Sequence, residues 1–555
     1  MAEDIRIGIF LCDCGEAISR RIDLLRIKSN SENISNVKYV KLSHYLCSQE
    51  EIELMGSEIR EKGLNRVVIG GCSPQFCEAA FMGAMEKGGL NPYLLSVANI
   101  RDQCGWVHPD KTKAFSKAAR QIKMAISKAR LSQPIEKETV SINRDVLIIG
   151  GGISGMEAAI ELSNLDHKVT LLEKEKVLGG RLNQLHSLYP LELTPDALLS
   201  ERIEAINKRT NVEVFTTGEL LKIEGQIGNF VAKIKTDDSL ITRNFGAIVV
   251  ATGCDTQFSK ERYGLELSDN IITQLQFEKM LKSQEKCEKI PQEIGFILDI
   301  SDEHSRIPTI SALKNGLAAK RRFGGEVYVF CKNLKLDATG LEGMYREARD
   351  KGVIFFEFGD EMPEISPANG QINIQLEDLY LAKELVSLSC DLLVVDEKII
   401  PQRDFETLKS ILNIDLDSSN FYQQPNIHLY PVGSNREGIF FAGTCHADLD
   451  ITDTLGDGRA AAQAVHQLLS SGKIWVEVGR VMVDADKCAL CLTCIRSCPH
   501  HAIEVDQEKQ AAKVIDLACR GCGICAGECP AKAIQLKGYT DNEIGAQLEF
   551  LQEAM

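Results

Sequence analysis

The chain is predicted to be an α/β protein carrying a small, cysteine-rich α+β module near its C-terminus. Three features lead to this expectation. From residue 145 to about 475, short apolar segments alternate with helical stretches, as in parallel-sheet folds. The first of these segments, DVLIIG, runs directly into a glycine turn. Residues 481–540 hold two four-cysteine runs that echo each other.

In chain order, the strand IRIGIFLC comes first and NRVVIGG, at 65–71, is a second. A helix is expected over roughly 110–133, where Lys, Ala and Ile recur at helical spacing. Pro134 and the polar run IEKETVSIN read as a linker. Beyond DVLIIG the strand candidates are KVTLLE, AIVVATG, IGFILDI, EVYVFC, LLVVD and IFFAG, and an amphipathic helix, 541–553, follows the cysteine module.

Bulk composition narrows the function. At 555 residues, 44% hydrophobic and 26% charged, the chain has material for several cores. A net charge of −16 argues against nucleic acid or an anionic membrane surface as partner. No stretch approaches the ~18 apolar residues of a membrane-crossing helix, so direct membrane insertion is not expected. The start, MAEDIRIGIF, lacks a basic segment followed by an apolar one, and a cytoplasmic location is expected. Nineteen cysteines in a chain of this kind, eight of them in the two runs and six in the first 104 residues, point to metal rather than disulfides.

The first run is Cys488, Cys491, Cys494 and Cys498 followed by Pro499; the second is Cys519, Cys522, Cys525 and Cys529 followed by Pro530. Two-residue spacing lets three thiolates grip three corners of a 4Fe–4S cubane. The fourth, ahead of the proline, reaches across to the other cluster. One cluster is therefore assigned to Cys488, Cys491, Cys494 and Cys529, and the other to Cys519, Cys522, Cys525 and Cys498. The competing reading is a pair of zinc sites, which three-plus-one spacing repeated with Cys-Pro fits poorly.

Gly150, Gly152 and Gly155 form a G-x-G-x-x-G turn between an apolar strand and a helix. The first permits the tight turn, the second lets backbone meet a pyrophosphate, and the third lets helix pack on strand. Glu173, at the end of the next strand, is placed to accept ribose hydroxyls. FAD rather than NAD is indicated by Gly180 and Arg181 in LGGR, by Ala251, Thr252 and Gly253 ending AIVVATG, and by the closing segment 438–465, with contacts expected at Gly443, Ile451 and Thr452. The strand IGFILDI, by contrast, runs into SDEHSRIPT with no glycine turn, so a nicotinamide nucleotide is not expected there.

The expected division is an N-terminal cysteine-containing domain, 1–143; an FAD-binding domain in two parts, 144–285 and 401–480; a degenerate second dinucleotide-binding-like domain, 286–400, between them; a two-cluster ferredoxin module, 481–540; and a terminal helix, 541–555. In the N-terminal domain Cys12, Cys14, Cys47, Cys72, Cys77 and Cys104 lie at strand ends and turns. Spacing alone leaves open a cluster or buried structural cysteine.

CDCGEAI, NRVVIGGCSP, GGLNPYLLSVANIRDQCGWVH, the GGGISG turn and GYTDNEIGAQLE together resemble the A-type subunit of heterodisulfide reductase over nearly the whole chain. That resemblance implies FAD in a thioredoxin-reductase-like core and a third 4Fe–4S cluster in the N-terminal domain, with ligands among Cys12, Cys14, Cys47, Cys72 and Cys104. Cys77 is left out, because the family usually has a histidine-containing PRxHE stretch there. It also implies a cation near the flavin ring at Lys314, in ALKNGLAA; the bland alternative is a solvated helix lysine. Two departures stand out. LNQLHSLYPLELTPDALL runs on without the cysteine-bearing ferredoxin insertion of the methanogen form, and SDEHSRIPTISALKNGLAA lacks that form's cysteine-rich stretch.

The resemblance implies an oxidoreductase moving electrons between FAD, 4Fe–4S clusters and partner subunits. These would be B- and C-type subunits, a hydrogenase or dehydrogenase donor, and ferredoxin. In some complexes of this family the flavin splits an electron pair, and the resemblance extends that expectation here. The alternatives are a related subunit of a quinone-interacting membrane-associated complex working with adenylylsulfate reductase, and a non-catalytic electron-relay scaffold. The glutamate-synthase small-subunit type is disfavoured, because it needs the missing nicotinamide turn. Ile544, Leu548 and Leu551 share one face of the last helix, free either to dock a neighbour or to pack on the ferredoxin module.

Overall fold

The strand Ile7–Cys12 is buried along its whole length because it lies inside a four-stranded parallel sheet. The order of that sheet is Val37–Ser43, Ile7–Cys12, Arg66–Gly71, Leu95–Asn99. Helices Leu24–Glu32, Gln49–Glu61, Pro74–Lys87 and Lys111–Leu131 connect and cover it, and Ile9, Leu11 and Val68 join the last of these in one apolar cluster. Strand order reverses between Ile7–Cys12 and Arg66–Gly71. Their carboxyl ends therefore open on a switch-point crevice, the usual place for a ligand in an open α/β sheet.

The computed structural model describes residues 4–237, 239–283, 290–298, 305–368, 370–380 and 384–552. They form two units: residues up to Val140 with those from Trp475 on, and Ser141–Ile474. The first unit thus joins the N-terminal sheet to the cysteine-rich module. That module pairs Val481–Val483 with Ile534–Leu536 and Ile503–Asp506 with Ala511–Val514, both antiparallel. The short helices Thr493–Ser497 and Ile524–Gly527 complete its two-fold repeat. The final helix, Asp541–Gln552, lies along Lys111–Leu131 rather than on the ferredoxin module. Lys128 sits 4.3 Å from the Tyr539 ring, and buried Glu543 accepts from Thr540 N and Oγ1 at 2.9 Å. Ile544, Leu548 and Leu551 stay exposed.

The second unit repeats one design twice. A parallel sheet runs Ile439–Phe441, Ala247–Val250, Val146–Ile149, Val169–Leu172, Val212–Phe215, with the antiparallel strands Glu219–Gln226, Asn229–Lys235 and Leu240–Phe245 beside it. A second parallel sheet runs Ile271–Thr273, Leu392–Val395, Glu293–Leu298, Glu326–Cys331, Val353–Glu357, again with three antiparallel strands, Glu364–Ala368, Gln371–Glu377 and Leu385–Cys390. The central parallel strands are apolar runs because both faces are covered. Gln371–Glu377 instead alternates buried and exposed residues, as a half-covered strand must. Cys254–Gln257 pairs with Lys398–Pro401 to tie the two lobes.

Several expectations need correction. Glu136–Ser141, expected as linker, is a strand whose residues are almost all exposed, which is why its composition looks like a loop. Ile271–Thr273 and the helix Gln274–Ser283, assigned to the first lobe, belong to the second sheet and its core through Phe277 and Leu281. Val37–Ser43 is a strand that sequence reasoning does not find, because an edge strand with lysines at two positions carries a weak apolar signal. The glycine-free turn after IGFILDI includes 299–304, which lie outside the described residues.

Candidate flavin and iron–sulfur sites

The carboxyl ends of both parallel sheets in the second unit face one cleft of about 770 Å³. Gly150, at the end of Val146–Ile149, has φ +113, and a Cβ there would drive into the Ala251 carbonyl. Gly155 stands in the same relation to the Gly150 carbonyl, so helix Ile153–Asn164 can seat on the strand only without a side chain at that point. Gly152 is the N-cap of this helix, has no side-chain cap, and has open space within 4 Å of where a Cβ would be. The first-turn N–H groups therefore remain available to an anion in the cleft.

Glu173 is buried at the cleft wall, its Oε2 accepting from Gly151 N at 2.6 Å and its Oε1 from Glu175 N at 2.8 Å. Gly180, Arg181, Ala251, Thr252, Gly253 and Ile451 also line it. Arg181 donates to Cys254 Sγ at 3.3 Å. Gly443 and Thr452 do not reach the lining. Gly443 packs on Ser154 and donates to Asp457 Oδ2 at 2.7 Å, while Thr452 is exposed and Thr454, further along the same helix, lines the cleft instead. A helix start puts residue i and residue i+3 on one face, and the sequence alone does not set that phase. An uncapped helix end, backbone room and a buried carboxylate at strand-end distance suit a dinucleotide.

Lys314, on helix Ile307–Phe323, is a cleft residue and not a solvated one. Its ammonium lies 2.6 Å from Glu278 Oε1 and donates to Ser187 O at 2.7 Å. Glu278 is 2% exposed, and its other oxygen accepts from His186 N at 2.7 Å. Burial holds the His186 ring below its ordinary pKa, with Glu278 pulling the other way. Asp396, just after Leu392–Val395, also lines the cleft and bonds the Tyr263 hydroxyl; burial pushes its carboxyl well above the usual range. Neither Glu278 nor Asp396 carries a sequence motif.

In the cysteine-rich module two small cavities each hold four cysteines. One is lined by Cys488, Cys491, Cys494 and Cys529, the other by Cys498, Cys519, Cys522 and Cys525. Each run thus sends its fourth cysteine to its neighbour's cavity. The repeat is kept in detail: Ala502 N donates to Cys498 Sγ at 3.4 Å, and Ala533 N to Cys529 Sγ at 3.3 Å. Among the described residues no three His, Cys, Asp or Glu side chains are gathered to hold a single ion. Thiols ringed around a space suit a cubane better than zinc, which draws four sulfurs to ~2.3 Å of one point.

Comparison with known proteins finds a family match over each of the two regions. The description "Pyridine nucleotide-disulphide oxidoreductase" matches residues 144–288, and "4Fe-4S dicluster domain" matches 480–534. The A-type iron–sulfur subunit of the CoB–CoM heterodisulfide reductase of Methanocaldococcus jannaschii is 28% identical over 99% of this chain and 99% of its own. The second such subunit of Methanopyrus kandleri is 27% identical over 91% and 92%. This chain is similar to the heterodisulfide reductase A-type subunit over nearly its whole length. The crystal structure of Lactococcus lactis thioredoxin reductase covers 59% of this chain and 100% of that chain at 22% identity and a TM-score of 0.43.

This heterodisulfide reductase relative is an oxidoreductase of the flavin and iron–sulfur type. The alignment with the Methanocaldococcus protein runs over 650 positions against 555 residues here, so that relative carries segments this chain lacks. Among the described residues no helix is long and apolar enough to cross a membrane.

The N-terminal cysteines of the heterodisulfide reductase relative sort differently from expectation. Cys12 ends its strand nearly buried; burial pushes its thiol up to about 11, and Cys14 and Cys47 add to the rise. Cys72 Sγ lies 3.6 Å from Cys77 Sγ, and burial, Cys72 and Cys47 push the Cys77 thiol up to about 12. Cys77 therefore belongs with this group, against expectation. Its helix, Pro74–Lys87, begins three residues earlier, and a first-turn side chain points back toward the helix start and Cys72. Cys104 departs from the group. It is fully buried in the apolar cluster under helix Lys111–Leu131, and its thiol donates to Gln121 Oε1 at 3.2 Å. Cys14 has φ +55 and accepts from Arg101 at 3.2 Å.

Proposed function

We propose that this chain is the FAD and iron–sulfur electron-transfer subunit of a heterodisulfide-reductase-like complex, exchanging electrons between FAD, 4Fe–4S clusters and partner subunits. The observation that carries the reading is the pair of crossed four-cysteine cavities in a chain that also holds a dinucleotide cleft. Gly150, Gly152, Gly155 and Glu173 hold the nucleotide, with Gly180, Arg181, Ala251, Thr252, Gly253, Ile451 and Thr454 around it. When bound, FAD supplies a centre that takes electrons singly or in pairs, and each cluster supplies a one-electron centre.

The chain's own groups set the conditions for that chemistry. Glu278 and the Ser187 carbonyl hold the Lys314 ammonium in the cleft, where a fixed cation favours added negative charge on a bound ring. Glu278 in turn keeps the lysine from being an uncompensated buried charge. A third cluster in the N-terminal domain draws its ligands from Cys12, Cys14, Cys47, Cys72 and Cys77, at the switch point of that sheet. B- and C-type subunits and a hydrogenase, dehydrogenase or ferredoxin donor are the partners this reading calls for.

The test is light-driven, anaerobic reduction of the flavin in the whole chain, followed by electron paramagnetic resonance. Reduced-cluster signals appearing as the flavin reoxidises are expected. Flavin that keeps its electrons while every cluster stays oxidised would count against a transfer role.

A further inference from the structure

The two cysteine runs differ at one position whose backbone is the same. In the first, CALCLTC, the second residue after Cys488 is Leu490, with φ +49; in the second, CRGCGIC, it is Gly521, with φ +61. A side chain is therefore tolerated by this left-handed turn, so conformation alone does not explain the glycine. Space does. A Cβ on Gly521 would come 2.5 Å from Arg480 Cζ, so the guanidinium lies where the first run places its leucine side chain. Gly521 N itself donates to Cys519 Sγ at 3.4 Å, which puts Arg480 against the loop that carries Cys519 and Cys522.

Arg480 reaches this place under restraint. It ion-pairs with Glu477, which also bonds the Tyr93 hydroxyl of the N-terminal domain. Its side chain is 29% exposed, and its Nε is buried with no protein hydrogen-bond partner. The guanidinium does not line the four-cysteine cavity; it packs behind the loop that carries Cys519 and Cys522 and acts on that cavity through its charge.

We propose that Arg480 sets the reduction potential of the Cys498, Cys519, Cys522 and Cys525 cluster above that of its Cys488, Cys491, Cys494 and Cys529 neighbour. A reduced 4Fe–4S centre carries one more negative charge than an oxidised one, and a nearby, partly buried cation stabilises it. Other charges weigh in. Asp516 accepts from Gly479 N at 3.1 Å and opposes Arg480 near Cys519. Arg496 stands near Cys491 in the first run but is exposed, where solvent screens it strongly. Arg520, exposed beside Cys519, adds positive charge on the same side; with it the half-buried Arg480 guanidinium outweighs Asp516, and electrons settle on the second cluster first. The inference rests on the cluster reading above.

The experiment is a resonance-monitored redox titration of the whole chain, with iron measured on every variant. Arg480→Gln is expected to lower the potential of one cluster and leave the other in place. Glu477→Gln, which keeps an acceptor for Tyr93 but removes the counter-charge, is expected to raise the same potential; a purely structural role would not give opposite signs. Arg480→Lys keeps the charge but not the planar guanidinium packed on Gly521 and should fall between wild type and Arg480→Gln. Two unmoved potentials in iron-replete Arg480→Gln, or equal shifts of both clusters, overturn the proposal. Should Arg480→Gln lose iron, an unmoved potential in Glu477→Gln overturns it instead. A wild-type chain without clusters would sink the function reading, which is a different outcome.

Discussion

Replacing Cys529 by alanine is expected to remove about four irons, one cubane's worth, from the chain. The cluster lost should be the one held by Cys488, Cys491 and Cys494, not the one held by Cys529's own neighbours in sequence. The cavities show why: Cys529 lines the first, while Cys519, Cys522 and Cys525 line the second with Cys498. Pairing of variants makes the assignment decisive. Cys529→Ala combined with Cys488→Ala should lose no more iron than either alone, because both empty one site. Cys529→Ala combined with Cys519→Ala should empty both. Self-contained runs would reverse the two results, and iron analysis of the single and double variants distinguishes them.

The second large effect is at Gly155. Gly155→Val should abolish flavin binding and destabilise the second unit by about 3 kcal/mol, the upper end of ordinary overpacking. Its new Cβ meets the Gly150 carbonyl, and Gly150 is itself held at φ +113 against the Ala251 carbonyl. Neither backbone has room to yield, so the helix must lift off the strand and take its uncapped N-terminus away from the nucleotide. Iron content should be unchanged, since the cysteines of the crossed cavities belong to the other unit. Flavin absorbance, iron analysis and thermal unfolding read all three. Full flavin and an unaltered melting transition would show that the close contact is not the constraint argued for it.

What was legible in the sequence is what backbone chemistry writes into short segments. Gly150, Gly152 and Gly155 announce a strand–turn–helix, the first and third because no side chain fits there and the second because it leaves backbone open to a ligand; Cys-x2-Cys-x2-Cys-x3-Cys-Pro announces a cubane because spacing alone brings three thiols together. Pairings made by the fold leave no such trace. Glu278 sits in QLQFEKML, an ordinary amphipathic stretch, and only packing of its helix against Ile307–Phe323 brings it to Lys314. Cys104 is indistinguishable in sequence from its fellow cysteines, yet the short helix Arg101–Trp106 turns it onto Gln121 and away from the crevice. Thr452 fails for a third reason: a helix start known only to within a residue leaves its facing side undetermined. The difference between Leu490 and Gly521 is visible in the sequence, but its cause, Arg480, arrives from a segment before the repeat.

Everything proposed for this chain depends on its cofactor set, which anaerobic quantitation of iron, acid-labile sulfide and flavin on the purified whole chain reads without intermediate steps. One FAD and about twelve irons per chain are expected, three cubanes in all. A chain carrying flavin but only about eight irons would strike out the N-terminal cluster alone; one carrying zinc in place of iron, or no flavin, would refute the electron-transfer reading at its root.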